Sequence, residues 1–78
     1  MGRYQFAPTA VLTISRQDGR MFAQLTGQPA AEIFPSSERE FFYKAVDAQL
    51  TFTAGADGRV TALVLRQNGA EQQARRVD

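Results

Sequence analysis

The chain contains no cysteine and no histidine. Without cysteine, neither a disulfide nor a thiolate metal site is available to staple so short a polypeptide. Without histidine, the usual general base, the commonest metal ligand and the side chain that titrates nearest neutrality are all missing. Lysine occurs once, at Lys44, and serine three times, at Ser15, Ser36 and Ser37. Excess charge is scarce too: nine Lys and Arg against eight Asp and Glu leave a formal net charge of +1. That balance gives no long-range field for nucleic acid or an anionic membrane, and neither is expected as a partner. No apolar run approaches the ~20 residues of a membrane helix, and Met1-Gly2-Arg3 does not open a signal peptide. With no such address and a start in a strand-like segment, the chain either works where it is made or, the favoured reading, is a piece of a longer, exported protein.

What is present is alternation. In Asp47–Gln73, Ala48, Leu50 and Phe52 alternate with Gln49, Thr51 and Thr53, the period-2 pattern of a half-buried strand. After Asp57-Gly58 comes a second alternating run, with Leu63 and Leu65 on one face and Val60, Ala62 and Val64 on the other. Asn68-Gly69 follows. Asp-Gly and Asn-Gly are strong hairpin signals, because a twist-matched turn needs positive φ. Two antiparallel hairpins sharing a middle strand are therefore expected, the last strand reaching about Val77.

The same reading extends to the N-terminal half. Tyr4 and Phe6 share a face in 3–7, and Pro8, lacking an N–H, closes that run. Leu12 and Ile14 share a face in 10–16, and Asp18-Gly19 turns the chain. Met21, Ala23 and Leu25 then face opposite Phe22, Gln24 and Thr26. Ala31–Phe34 is a short strand stopped by Pro35. Ser36–Glu40 is polar and reads as a turn or a single helical turn, capped by Ser36 or Ser37. Phe41-Phe42-Tyr43 opens a fifth strand, and 44–47 is open between loop and strand.

About eight short strands with turn signals every ~8–12 residues mark an all-β sandwich or barrel. Sequential antiparallel pairing is favoured by the short connections, and closure removes exposed edges. The expected fold is an all-β, up-and-down antiparallel meander over residues 1–78, closed or nearly closed. An eight-stranded interior is just wide enough to be filled by side chains or to hold one small ligand.

The order of the signals is more specific than any one of them. It runs Gly2-x-Tyr4, Asp18-Gly19-Arg20-Met21, Leu25-Thr26-Gly27-Gln28 and Ile33-Phe34-Pro35-x-Ser37-Glu38. It continues Glu40-Phe41-Phe42, Val46-Asp47-Ala48-Gln49-Leu50-x-Phe52, Asp57-Gly58-x-Val60 and Leu63-x-Leu65-x-Gln67-x-Gly69. This resembles the small lipocalin-like domain of unknown function found C-terminal to serine β-lactamase-like hydrolases and peptidases of the penicillin-binding-protein type. The resemblance implies a non-catalytic accessory module, with oligomer assembly or shaping of the partner's active site as its roles. In that family the nucleophilic serine and its lysine sit in the separate catalytic domain. Nothing here matches Ser-x-x-Lys, so no catalytic residue carries over. The implied partner is that catalytic domain in cis, or a second copy of the chain. No cofactor is implied.

Two sets of residues remain as candidates. Tyr4, Phe34, Phe42 and Phe52, with Gln67 continuing the face of Leu63 and Leu65, form the candidate lining of an apolar ligand cavity. Against that stands their use as core, since so small a domain needs large side chains to bury area. Val11 and Phe22, on faces opposite their apolar neighbours, are the candidate partner patch. Glu38 and Glu40, with Asp47 further on, read as solvated loop rather than as an acid–base pair, and no EF-hand spacing is present. Arg75 and Arg76 point to opposite faces of a regular strand, so with Arg66 they do not form one anion site.

Overall fold

The computed structural model describes residues 2–44 and 46–77. Within them run eight strands: β1 (Gly2–Ala7), β2 (Ala10–Gln17), β3 (Arg20–Leu25), β4 (Ala31–Pro35), β5 (Glu40–Tyr43), β6 (Ala48–Ala54), β7 (Val60–Gln67) and β8 (Ala70–Arg76). Each pairs antiparallel with its sequence neighbours, and β8 returns to β1, so the sheet is a closed barrel. The closing seam is short, with Tyr4 opposite Arg76 and Gln5 opposite Arg75. The Val77 N–H donates to the Arg3 carbonyl and extends it by one hydrogen bond.

Period 2 decides which side chains turn inward. Tyr4, Leu12, Ile14, Ala23, Ile33, Leu50, Leu63 and Ala74 form the buried cluster, and Phe6, Met21, Leu25, Phe41, Tyr43, Phe52, Val60 and Leu65 pack against it. Every strand contributes, so the core is a single column down the barrel axis. Burying that column is the main favourable term in folding, at ~25 cal/mol per Å² of apolar surface.

Simple alternation fails at Val60. It belongs by parity with Ala62 and Val64, yet it packs against the core. The cause is a bulge: Thr53 pairs with Ala62 but Ala54 pairs with Val60, so Thr61 is the extra residue and parity flips beyond it. A second irregularity lies at Phe6, between the pairs Gln5–Val11 and Ala7–Ala10.

The hairpin turns divide into two kinds. Asp18-Gly19 and Asn68-Gly69 have both central residues at positive φ, 53° and 78° in the first and 53° and 79° in the second, the two-residue turn that matches strand twist. Asp57-Gly58 does not make such a turn. Only Gly58 has positive φ there, and the connection is a longer loop between Ala54 and Val60. The Asp57 carboxylate accepts the Arg59 N–H at 3.0 Å, which holds the loop by a side chain in place of a tight backbone turn. The 36–39 connection has no helical turn to cap. Instead the Ser36 N–H and Oγ both donate to the Glu40 carbonyl, at 2.8 and 3.2 Å, tying β4 to β5. In 44–47, Lys44, Val46 and Asp47 are bends, and Ala45 lies outside the described residues.

Up-and-down connection gives the barrel two chemically different ends. One carries the β1–β2, β3–β4, β5–β6 and β7–β8 turns; the other carries the β2–β3, β4–β5 and β6–β7 turns. The second end is strongly charged, with Asp18, Glu38, Arg39, Asp57 and Arg59 in its turns. At the first end, the Pro8-Thr9, Thr26–Ala30 and Asn68-Gly69 turns carry no charge, and the β5–β6 connection carries Lys44 and Asp47.

Candidate functional site

The five residues expected to line a ligand cavity do not converge. Tyr4 is 1% exposed, and its ring meets Phe52 edge-on with centroids 5.7 Å apart. Phe52 in turn meets Phe41 edge-on at 5.6 Å. These three rings pack into the core toward the charged end, where they also line a smaller hollow of about 170 Å³ together with Glu38, Arg39 and Arg76. Phe34 and Phe42 face the other way. Their strand neighbours Ile33, Phe41 and Tyr43 take the inward positions, so Phe34 and Phe42 lie on the outer surface of the barrel, directly opposite each other across β4 and β5. Gln67 does sit on the interior face, at the end where Ala48 is its cross-strand partner.

The outer surface of β3, β4 and β5 therefore carries an aromatic stripe. The Phe34 and Phe42 rings are tilted by 36° with centroids 5.8 Å apart. Lys44 lays its Nζ 4.2 Å from the centre of the Phe34 ring, a cation–π contact. Phe22 pairs with Glu32, so it is the diagonal neighbour of Phe34, within reach for a ring at about 7–8 Å. Arg20 and Glu32 flank the stripe as a long ion pair of 3.9 Å. All three phenylalanines are half-buried. Val11 is not part of this patch. Ser15, not Val11, is the residue opposite Phe22. Val11 lies four residues back along β2, about 13 Å away. There its backbone exchanges hydrogen bonds with Thr26, whose Oγ1 accepts the Val11 N–H at 3.1 Å.

The second feature is a hollow of about 220 Å³ in the less charged end of the barrel. Its floor and walls are interior-facing residues, among them Phe6, Leu12, Leu65 and three small ones, Ala23, Ala31 and Ala48. Half-buried Tyr43 and the exposed Gln28 and Gln67 supply polar groups, and none of the residues that line it is charged. Burial raises the Tyr43 phenol above its ordinary pKa of 10.0, by desolvating the phenolate. Sequence reasoning placed only Gln67 here. The signal for Tyr43 was its parity with Phe41; the three alanines gave none, because a cavity is marked by what side chains fail to fill.

The carboxylates are dispersed by the topology. Glu38 lies in the β4–β5 turn at the charged end, while Asp47 lies in the β5–β6 loop at the other. Among the described residues, no group of three or more acidic side chains is placed to hold a metal ion.

Comparison with known proteins bears on the whole chain. The model of a family described as Domain of unknown function (DUF3471) matches residues 1–76. Penicillin-binding protein 4* of Bacillus subtilis (strain 168) is 30% identical over 74 residues, which is 95% of this chain but 16% of that protein. The chain thus spans about one sixth of the length of the curated relative it matches. No solved structure matches.

Proposed function

Because this chain belongs to the DUF3471 family, a domain of unknown function, we propose that it is a non-catalytic, lipocalin-like accessory domain of an exported or periplasmic serine β-lactamase-like hydrolase or peptidase. The observation that carries the reading is the relative: nearly the entire chain aligns with a small segment of a penicillin-binding protein. The residues present agree with a supporting role. The three serines lie in strand β2 and the β4–β5 turn, with no lysine three residues beyond any of them. An acyl-transfer centre needs an activated nucleophile beside a base; the hydroxyl–carboxylate contact among the described residues, Ser37 Oγ donating to Glu40 Oε1 at 3.4 Å, is exposed in the β4–β5 turn and lies in no cleft with a lysine.

An accessory domain acts through surface, and the Phe22–Phe34–Phe42 stripe is the surface we assign to the catalytic domain of the same protein. Aromatic rings of this kind supply large contact area with little side-chain entropy to lose, and they are enriched at interface centres. Seated there, the domain supports assembly or shapes the neighbouring active site.

The first test is the reading frame that encodes the chain, in which a Ser-x-x-Lys-bearing domain is expected within the same polypeptide. The second is titration of that catalytic domain with this chain by calorimetry. The Phe22→Ser/Phe42→Ser variant, checked for retained fold by circular dichroism, should weaken binding at least tenfold. Gln49→Arg, an exposed change beside Phe42 that leaves packing alone, should weaken it severalfold. A fluorescent penicillin should label the catalytic domain and leave the isolated chain unlabelled. Covalent labelling of the isolated chain, or unaltered binding by both variants, overturns the assignment.

A further inference from the structure

We infer that the hollow at the less charged end of the barrel is a binding site for a neutral, single-ring molecule carrying one hydroxyl, that is, a phenol-class ligand. The site is distinct from the aromatic stripe, which lies on the outer surface.

Four observations fix the ligand's chemistry. The first is size. The hollow measures about 220 Å³. An apolar cavity of about 150 Å³ accepts benzene, and pockets for drug-sized molecules begin at about 300 Å³. One ring with a small substituent fits between those limits. The second is the wall. Phe6, Leu12 and Leu65 are apolar, and the small side chains of Ala23, Ala31 and Ala48 leave the space open, whereas the hollow of about 170 Å³ at the opposite end is lined by Glu38, Arg39 and Arg76 among others. Phe6 and Tyr43 offer rings for edge-on contact.

The third observation is charge. No Asp, Glu, Lys or Arg lines the hollow, although Lys44 and Asp47 stand on the β5–β6 loop that supplies Val46 to its rim. Lys44, the nearest cation on the β5–β6 loop, is committed to the outer face over Phe34. A charged ligand would therefore lose its hydration without gaining a counter-ion. The fourth is polarity. The half-buried Tyr43 hydroxyl and the amides of Gln28 and Gln67, both exposed at the mouth, line the hollow, and among the described residues no buried side-chain polar atom is left without a partner. Together these groups offer a donor and an acceptor to one hydroxyl. A wholly apolar ring would displace water from them and return nothing.

The test is titration of the ¹⁵N-labelled chain with phenol, toluene and benzoate, followed by two-dimensional NMR. Phenol should saturate, with shifts concentrated on Ala23, Ala31, Ala48 and Leu65, at an affinity of roughly millimolar or better for so few atoms. Toluene should bind about threefold to tenfold more weakly, the value of a modest neutral hydrogen bond, and benzoate more weakly still. Tyr43→Phe and Gln67→Leu should each narrow the phenol–toluene gap while leaving toluene within about twofold. Ala48→Leu should fill the space and abolish both, with spectral dispersion showing that the fold survives; Ala31→Val, at a half-buried position, serves if it does not. N-acetyltyrosinamide separates the sources of the ring: binding comparable to phenol assigns the site to a tyrosyl side chain, and binding of free phenol alone assigns it to a small molecule. Shifts spread over the outer surface, benzoate binding as tightly as phenol, or a phenol–toluene gap indifferent to Tyr43→Phe and Gln67→Leu overturns the inference. Docking through the stripe should be unchanged by Ala48→Leu, so failure of one site leaves the other standing.

Discussion

Ile33 and Phe34 are adjacent in sequence and face opposite sides of one strand, which makes them a direct test of whether the aromatic stripe is spare surface or hidden core. Ile33 is 2% exposed, and truncation to alanine removes buried methyl groups and leaves a cavity. The expected cost of Ile33→Ala is about 2–5 kcal/mol. Phe34 is half-buried and loses contacts of a different kind. Its ring pair with Phe42 is worth about 0.5–1.5 kcal/mol and its cation–π contact with Lys44 about 0.5–1 kcal/mol. Phe34→Ala should therefore cost about 1–2.5 kcal/mol. For a chain of 78 residues, the entropy of unfolding makes each kcal/mol worth about 6 °C in melting temperature. The inward change should lower the midpoint by about 12–30 °C and the outward one by about 6–15 °C. Urea denaturation followed by circular dichroism gives both free energies, and a Phe34/Phe42 double-mutant cycle should return a coupling of about 0.5–1.5 kcal/mol. If Phe34→Ala costs as much as Ile33→Ala, the ring is core, and its availability to a partner is refuted.

Three further outcomes follow from the turns, the phenol and the surface charges. Gly69→Ala forces a side chain into φ +79° and should cost about 1–2 kcal/mol, whereas Gly55→Ala, free of positive φ and with its new Cβ 3.5 Å from the Asp57 carboxylate, should be close to neutral by the same thermal melts. Burial raises the Tyr43 pKa in the folded state, so the stabilisation is complete below the unfolded value near 10 and is lost as pH rises through the folded one. Tyr43→Phe should flatten that alkaline decline, and an unchanged slope in pH-dependent denaturation would contradict the burial. Arg66 and Glu71 pair across β7 and β8 at exposed positions, so Glu71→Gln should shift stability by no more than about 0.5 kcal/mol, less in high salt.

Much of the barrel was legible because its cause is local. Leu50 and Leu63, both 0% exposed, stand at alternating positions between turn signals, and period 2 alone places them inside. The type-matched Asn68-Gly69 turn then sets the register of β7 against β8, down to Gln67 opposite Ala70. Val60 escaped the same rule because a bulge inserts one residue and reverses parity, and a bulge at Thr61 has no mark in composition. Phe34 and Phe42 were misread for another reason. Residue type argued for the interior, but strand parity with Ile33, Phe41 and Tyr43 argued for the exterior, and parity prevailed because those neighbours already occupy the barrel. Val11 and Phe22 share outward parity, but adjacency depends on the stagger between β2 and β3, which only pairing reveals.

The uneven interior ties these features together. A closed eight-stranded barrel encloses a nearly fixed cross-section, so its residents must differ in size where space is left. Toward the charged end, Tyr4, Phe41 and Phe52 meet edge-to-face in series and line a hollow of about 170 Å³ whose rim is charged, with Glu38, Arg39 and Arg76. Toward the other end, Ala23, Ala31 and Ala48 stand on β3, β4 and β6, around the half-buried Tyr43 of β5. A domain this small has little stability to spare, and each unfilled methyl-sized void costs on the order of 1 kcal/mol. An open end lined by alanines is thus a net expense to folding that leucine at any one of them would reduce. Retaining three small residues beside the half-buried Tyr43 ring makes sense if the space is occupied while the protein works, and Ala48→Leu sets the two demands against each other. It should raise the melting temperature of the free chain while removing ligand binding; a variant that is both less stable and still able to bind phenol would show that the hollow is neither space left unfilled nor a site.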